Sequence, residues 1–178
     1  MEQIDIKIVI IGIEKIGKTC FVNRISNKAT FQKLLKEYKK TIVSEFGFKV
    51  IIKNNKKFRF QIWDIVWNEM VINIFSKEAN AIIFLYDSMN RQSFEKIKDL
   101  YCSDSVDKNC IFFIVRNKYE LKKQSNDNSD IISDEEVLEF ADKNNMIFKH
   151  ISILEKYETG IDELFNEIIS EYLKFNKK

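Results

Sequence analysis

A chain of 178 residues with 45% hydrophobic content is long enough to bury one core, and 29 Lys plus Arg against 27 Asp plus Glu leave a net charge of +2. That balance gives no argument from charge for a nucleic-acid surface, and no apolar run approaches the roughly 18 residues of a membrane span. The start, Met1-Glu2-Gln3-Ile4-Asp5, has no basic region leading into a signal-type core, so a single cytoplasmic domain over residues 1–178 is expected.

Ile4 to Ile11 is an apolar run that reads as a buried strand. It leads directly into Gly12-Ile13-Glu14-Lys15-Ile16-Gly17-Lys18-Thr19, which satisfies G-x-x-x-x-G-K-[ST], and then into a helix over Lys18 to Ser26 with Phe21, Val22 and Ile25 available for packing. Strand, glycine loop and helix in this order cradle a polyphosphate. Backbone N–H groups turn inward, Lys18 neutralises the outer end, and the Thr19 hydroxyl can join a Mg²⁺ shell. Cys20 lies on the same helix, and with Cys102 and Cys110 it forms an odd set without metal-ligand spacing.

Phe31, Leu34, Leu35 and Tyr38 fall on one face of an expected amphipathic helix ahead of Thr41. Glu45 to Lys53 and Lys57 to Asp64 read as two strands of a hairpin turning at Asn54-Asn55. After a variable segment come a continuous apolar strand, Ala81 to Asp87, a helix marked by Phe94, Ile97, Leu100 and Tyr101, and a strand from Ile111 to Val115 that runs into Asn117-Lys118. Lys122 to Ile132 is polar and reads as a mobile loop. Ser133 and Glu136 form a capping box, Phe148 to Ser152 a short last strand, and Ile161 to Leu173 a long amphipathic helix that Thr159 and Asp162 could cap. The alternation of strand and helix argues for an α/β sheet.

Taken with the phosphate loop, Thr41-Ile42 with Phe46, Gln61-Ile62-Trp63-Asp64, Tyr86-Asp87, Ser93-Phe94, Asn117-Lys118-Tyr119-Glu120-Leu121 and Glu139-Phe140-Ala141-Asp142 resemble the Ras superfamily of small GTPases, with the Rab branch closest. The resemblance covers nearly the whole chain. It implies a small-GTPase-like P-loop fold: a mostly parallel six-stranded sheet with one antiparallel strand and helices on both faces. It implies GTP or GDP with Mg²⁺ as ligands, and a switch acting in vesicle traffic or signalling.

By the same resemblance, Glu14, Lys15, Ile16, Gly17, Lys18, Thr19 and Cys20 surround the phosphates, and Thr19, Thr41 and Asp64 hold the metal. Phe31 and Tyr38 flank the nucleotide, although packing is the commoner role of such a helix. Asn117, Lys118, Glu120, Ser152, Ile153 and Leu154 form the base pocket. Lys18 and Asn68 stand at the catalytic positions, Lys18 stabilising charge and Asn68 orienting water for in-line attack. Phe46 and Trp63 match an exposed aromatic surface for effector or exchange-factor proteins; burial in the sheet is the alternative.

Departures from the family pattern are specific. Glu120 replaces the base-reading Asp and is longer by one C–C bond, about 1.5 Å. Ile153 and Leu154 replace a small residue and a lysine. The run Asp64-Ile65-Val66-Trp67-Asn68-Glu69 stands where the family has Asp-Thr-Ala-Gly-Gln-Glu, so Trp67 replaces a mobile glycine and Asn68 a longer amide; Ile65, Val66 and Trp67 read equally as an apolar patch packed on a neighbouring helix. Glu14 stands where a γ-phosphate would approach. Two unit charges at about 4 Å cost roughly 4 kcal/mol at an effective dielectric of 20, unless Glu14 turns to solvent or pairs with Lys15. Slow hydrolysis is therefore expected. The other reading is a pseudo-GTPase that holds nucleotide structurally, or not at all, and serves as an interaction surface. The chain ends Phe175-Asn176-Lys177-Lys178, without the cysteine that prenylation needs, so association with membranes is expected only through partners or a further segment.

Overall fold

The computed structural model describes residues 1–26, 42–103, 105–118, 132–153 and 160–176. The helix expected at Phe31 to Tyr38, residues 122–131 of the loop expected from Lys122 to Ile132, and Thr41, Glu120, Leu154 and Thr159 lie outside the described residues.

In chain order the elements are β1 (Glu2–Ile11), α1 (Lys18–Ser26), β2 (Ser44–Lys53), β3 (Lys56–Ile65), α2 (Glu69–Ser76), β4 (Ala81–Asp87), α3 (Arg91–Cys102), β5 (Ile111–Asn117), α4 (Asp134–Lys143), β6 (Ile147–His150) and α5 (Ile161–Phe175). The strands form one six-stranded sheet in the order β2-β3-β1-β4-β5-β6. Only β2 runs antiparallel to its neighbour; the β1–β3, β1–β4, β4–β5 and β5–β6 pairs are parallel. The expected fold class is therefore the observed one.

Alternation along the strands sorts the apolar side chains into two layers. Ile6, Ile8 and Ile10 of β1 and Ile83 and Leu85 of β4 pack against Phe21 and Val22 of α1 and Leu164, Phe165 and Ile168 of α5. Val9 and Ile11, with Ile82, Phe84 and Tyr86, face α2, α3 and α4 through Ile72, Phe94, Ile97, Val137 and Ala141. Helices thus cover both faces.

Local chemistry fixes the element ends. Asn54 and Asn55, with φ of 51° and 59°, make the two-residue turn between β2 and β3. Asn90 caps α3 by accepting from the Ser93 N–H at 3.2 Å. Half of the expected capping box at α4 forms. Ser133 Oγ accepts from the Glu136 N–H at 3.1 Å, whereas the Glu136 carboxylate turns to Arg91 instead of back to the cap. At α5 the N-cap is Gly160, left-handed at φ 76° with no side-chain cap bond, and Asp162 reaches Lys49 of β2. The variable segment before β4 contains α2, which the sequence reading missed.

Candidate functional site

Register gathers the candidate residues at the carboxyl end of the sheet. Asp64 lies beside Ile10 at the carboxyl end of β3, Phe84 beside Ile11, and Asn117 beside Asp87. Ser152 follows β6. β1 is flanked by β3 on one side and β4 on the other. The chain therefore leaves the carboxyl ends in opposite directions, and this opens a crevice at the point where open α/β sheets take ligands.

The loop from Gly12 to Thr19 lines that crevice. A Cβ at Gly12 would stand 2.3 Å from the Leu85 carbonyl oxygen, so no larger residue passes between β1 and β4 there. Lys15 and Gly17 adopt left-handed φ of 65° and 101°, the alternation of backbone conformation from which anion-binding loops are built. The Phe21 N–H donates to the Gly17 carbonyl at 2.9 Å, so α1 starts immediately behind the loop with its positive end toward the hollow. Lys18 Nζ donates to the carbonyls of Gly12 at 2.8 Å and Ile13 at 3.1 Å. Burial pushes the Lys18 ammonium down from its ordinary pKa, and the carboxylates of Asp64 and Glu14 oppose that shift. Glu14 and Lys15 project as exposed side chains, and Ile16 is buried beneath.

Thr19 Oγ1 donates to Asp64 Oδ2 at 2.5 Å. A hydroxyl and a carboxylate converging beside a phosphate loop are hard oxygen donors, the type Mg²⁺ accepts while taking its remaining ligands from phosphate and water. Two buried polar atoms in the neighbouring loops point to a further ligand: Asn117 Oδ1 and Ser152 Oγ have no hydrogen-bond partner among the described residues. The other end of the Asn117 amide donates from Nδ2 to the Ile16 carbonyl at 2.8 Å, which ties this second pocket to the phosphate loop. Lys118, left-handed at φ 57°, lies across the same junction, bonding to the Asp87 carboxylate and to the Lys15 carbonyl at 3.3 Å. These residues fit a nucleotide: cations and N–H groups at one end, unfulfilled acceptors at the other.

Other expected residues lie differently. Ile153 turns its side chain into the core, close beneath Gly17, and Cys20 is half-buried with its thiol pushed up by that burial. Asn68 is exposed and caps α2, its Oδ1 accepting from the Val71 N–H at 3.1 Å. Ile65 is buried and Trp67 packs partly buried on the layer beneath α2, so these two residues, though not Val66, form the apolar patch expected there. Phe46 is 53% exposed, and its ring meets Trp63 at 4.8 Å between centroids. Trp63 in turn meets Phe75 of α2 at 5.3 Å, a third aromatic that was hidden because α2 itself was missed.

Comparison with known proteins agrees with this geometry. The family model described as "Ras family" matches residues 7–174. The chain is similar to "Ras-like GTP-binding protein RYL2" of Yarrowia lipolytica, 30% identical over 181 residues and covering 97% of this chain and 83% of the relative. It is 28% identical over 177 residues to "Ras-related protein RABA4d" of Arabidopsis thaliana, covering 97% of this chain and 75% of the relative. To "GTP-binding protein YPT1" of Saccharomyces cerevisiae it is 29% identical over 168 residues, covering 89% and 74%. The chain belongs to the Ras family, as a divergent Rab-like small GTPase.

Proposed function

We propose that this protein is a guanine-nucleotide-binding switch of the Rab type, a single G domain over residues 1–178, with slow GTP hydrolysis. The observation that carries this reading is the Asn117 amide. One end is bonded to the phosphate loop through Ile16, and the other is a buried acceptor without a partner among the described residues. A ligand with phosphates at one end and a hydrogen-bonding base at the other satisfies both halves.

In this reading the loop amides and the start of α1 hold the phosphates, and Lys18 places its charge against the outermost of them. Bound Mg²⁺ would neutralise developing phosphate charge, held by Thr19, Asp64 and Thr41. By the family resemblance Asn117, Lys118, Glu120, Ser152 and Leu154 would hold the base, Ile153 through its backbone N–H, and Phe31 and Tyr38 would flank the nucleotide. Asn68 is a poor positioner of water because its acceptor oxygen is committed to the Val71 N–H. Glu14 turns its side chain to solvent, so its charge reaches the γ-phosphate end only through screening water and adds little to the slow hydrolysis expected from Asn68. Effector or exchange-factor proteins would use Phe46 and Trp63, and vesicle traffic is the setting that the Rab-like relatives suggest.

Calorimetry of nucleotide-stripped protein with GDP, GTP and ATP, followed by single-turnover hydrolysis of Mg·GTP, tests the proposal. Tight binding of GDP and GTP over ATP, with a turnover rate well below an ordinary small GTPase measured alongside, is the expected result. Binding of no nucleotide would replace it with the pseudo-GTPase reading, which the cap at Asn68 and the packing of Trp67 favour.

A further inference from the structure

β2 is the edge of the sheet, and its two sides differ. The two-residue turn closes on the pair Lys53↔Lys56, and beyond the strand the Val66 N–H donates to the Val43 carbonyl at 3.0 Å. Both place the odd-numbered residues of β2 in hydrogen-bonded pairs with β3, because such pairs alternate along an antiparallel ladder. The N–H and C=O groups of Phe46, Phe48, Val50 and Ile52 therefore point outward, away from β3. Their side chains stand on one face and are 53%, 58%, 41% and 65% exposed. Edge strands are normally protected by lysine on the open side, proline or a bulge. The chain contains no proline, and β2 pairs without interruption from Ser44 to Lys53.

We propose that β2 is a self-association surface, pairing antiparallel with β2 of a second copy about a two-fold axis through Lys49, so that two sheets join into one. The strand's own sequence selects the occupant and the register. A two-fold at Lys49 sets Phe46 opposite Ile52 and Phe48 opposite Val50 of the other copy, and all four apolar residues find apolar partners. On the opposite face it sets Glu45 against Lys53 twice. Sliding by one two-residue step leaves Glu45 opposite Ile51 or Asn55 and strands one apolar residue. The like charges that meet at the axis are already drawn away: Lys49 Nζ bonds Asp162 at 3.2 Å and lies 5.2 Å above the Phe165 ring. An isologous contact of this kind closes at two copies.

Sedimentation of the full chain from about 1 to about 100 µM tests the association. The wild type should approach twice the monomer mass, and both Val50→Lys and Phe48→Glu, at exposed positions and shown to be folded by a cooperative thermal transition at about 1 µM, should remain monomeric. Register is read by oxidative cross-linking in a Cys102→Ser background. Lys49→Cys should give a covalent dimer, because the two copies of that residue would lie about 4.5 Å apart, within disulfide reach. Ile52→Cys should not, since its copies would be offset by about 20 Å along the strands. A wild type that stays monomeric throughout overturns the proposal and leaves the edge to a strand from another protein. Equal cross-linking at both positions, or dimers that survive both charged substitutions, overturns it as well.

Discussion

Asn117 donates its Nδ2 to the Ile16 carbonyl at 2.8 Å, joining the end of β5 to the phosphate loop. The contact is tight enough that a Cβ on Gly17 would stand 2.5 Å from the same nitrogen. Asn117→Ala would leave the buried Ile16 carbonyl without its donor, a loss worth about 1–3 kcal/mol. Urea unfolding of nucleotide-stripped protein should therefore show lower stability, and GDP affinity should fall in addition. Unchanged stability of the stripped variant would remove Asn117 as the tie between the two pockets.

Ser152 gives the opposite pattern. Its Oγ is buried without a partner among the described residues, so the hydroxyl carries a desolvation cost that none of their hydrogen bonds offsets. Ser152→Ala should leave the stripped protein as stable as the wild type, within about 0.5 kcal/mol, or slightly more stable. The same variant should bind GDP more weakly. A clear loss of stability without ligand would mean that the hydroxyl is structural.

What the sequence made legible here follows from how local each signal is. Gly12 to Thr19 was readable because strand, loop and helix are contiguous, and β4 because seven consecutive residues are buried. The hairpin turn could be placed from Asn54-Asn55. Arg116 was not readable: it is a fully buried cation, bonded to the Tyr86 hydroxyl at 2.8 Å, to Asp134 and to the Ile132 carbonyl, and nothing in Val115-Arg116-Asn117 announces those partners. α2 was missed because Asn68 was interpreted by its family position as a catalytic amide. Asn68 followed by Val71, Ile72 and Phe75 is also a cap and an apolar face at helical spacing, a signal that was present.

The cap supplies a prediction of its own. Asn68→Ala should cost about 1 kcal/mol of local stability, while Asn68→Asp, which keeps an acceptor, should lose little. Amide exchange at Val71 and Ile72 reads this directly, and it should speed up in the alanine variant alone. Equal exchange in all three proteins would show that Asn68 is not holding α2. Asn68→Gln, the substitution that lengthens the amide toward water, should weaken the cap as well, so faster hydrolysis would be accompanied by a looser α2.

Thiol chemistry distinguishes the cysteines by environment. Cys102 is exposed, whereas Cys110 is buried with its thiol pushed up to about 12, chiefly by desolvation and further by Asp107. Since the thiolate is the reactive form, iodoacetamide at about pH 8 should label Cys102 and spare Cys110 until the protein unfolds. Peptide mapping by mass spectrometry checks this. Labelling of Cys110 at a similar rate in folded protein would place it outside the layer beneath α3.

Arg91 of α3 grips the Glu136 carboxylate of α4 through two hydrogen bonds at 3.0 and 3.1 Å, and Lys98 approaches it at 3.7 Å. The Arg91 hydrogen bond is the main influence holding the Glu136 carboxyl below its ordinary pKa; burial opposes it, and charge attraction to Arg91 and Lys98 assists. A carboxyl whose folded pKa is depressed contributes stability above its unfolded pKa and loses that contribution as pH falls through the folded value. The stability difference between wild type and Glu136→Gln should hold steady above about pH 5 and shrink below about pH 4. Urea midpoints from pH 3 to pH 7 measure it, about 0.5 pH unit apart. Because the pair is partly exposed, added salt should reduce the plateau without moving the acid edge to higher pH by much. A difference that grew toward acid would reverse the sign and show that Glu136 is protonated more easily in the folded protein than in the unfolded chain.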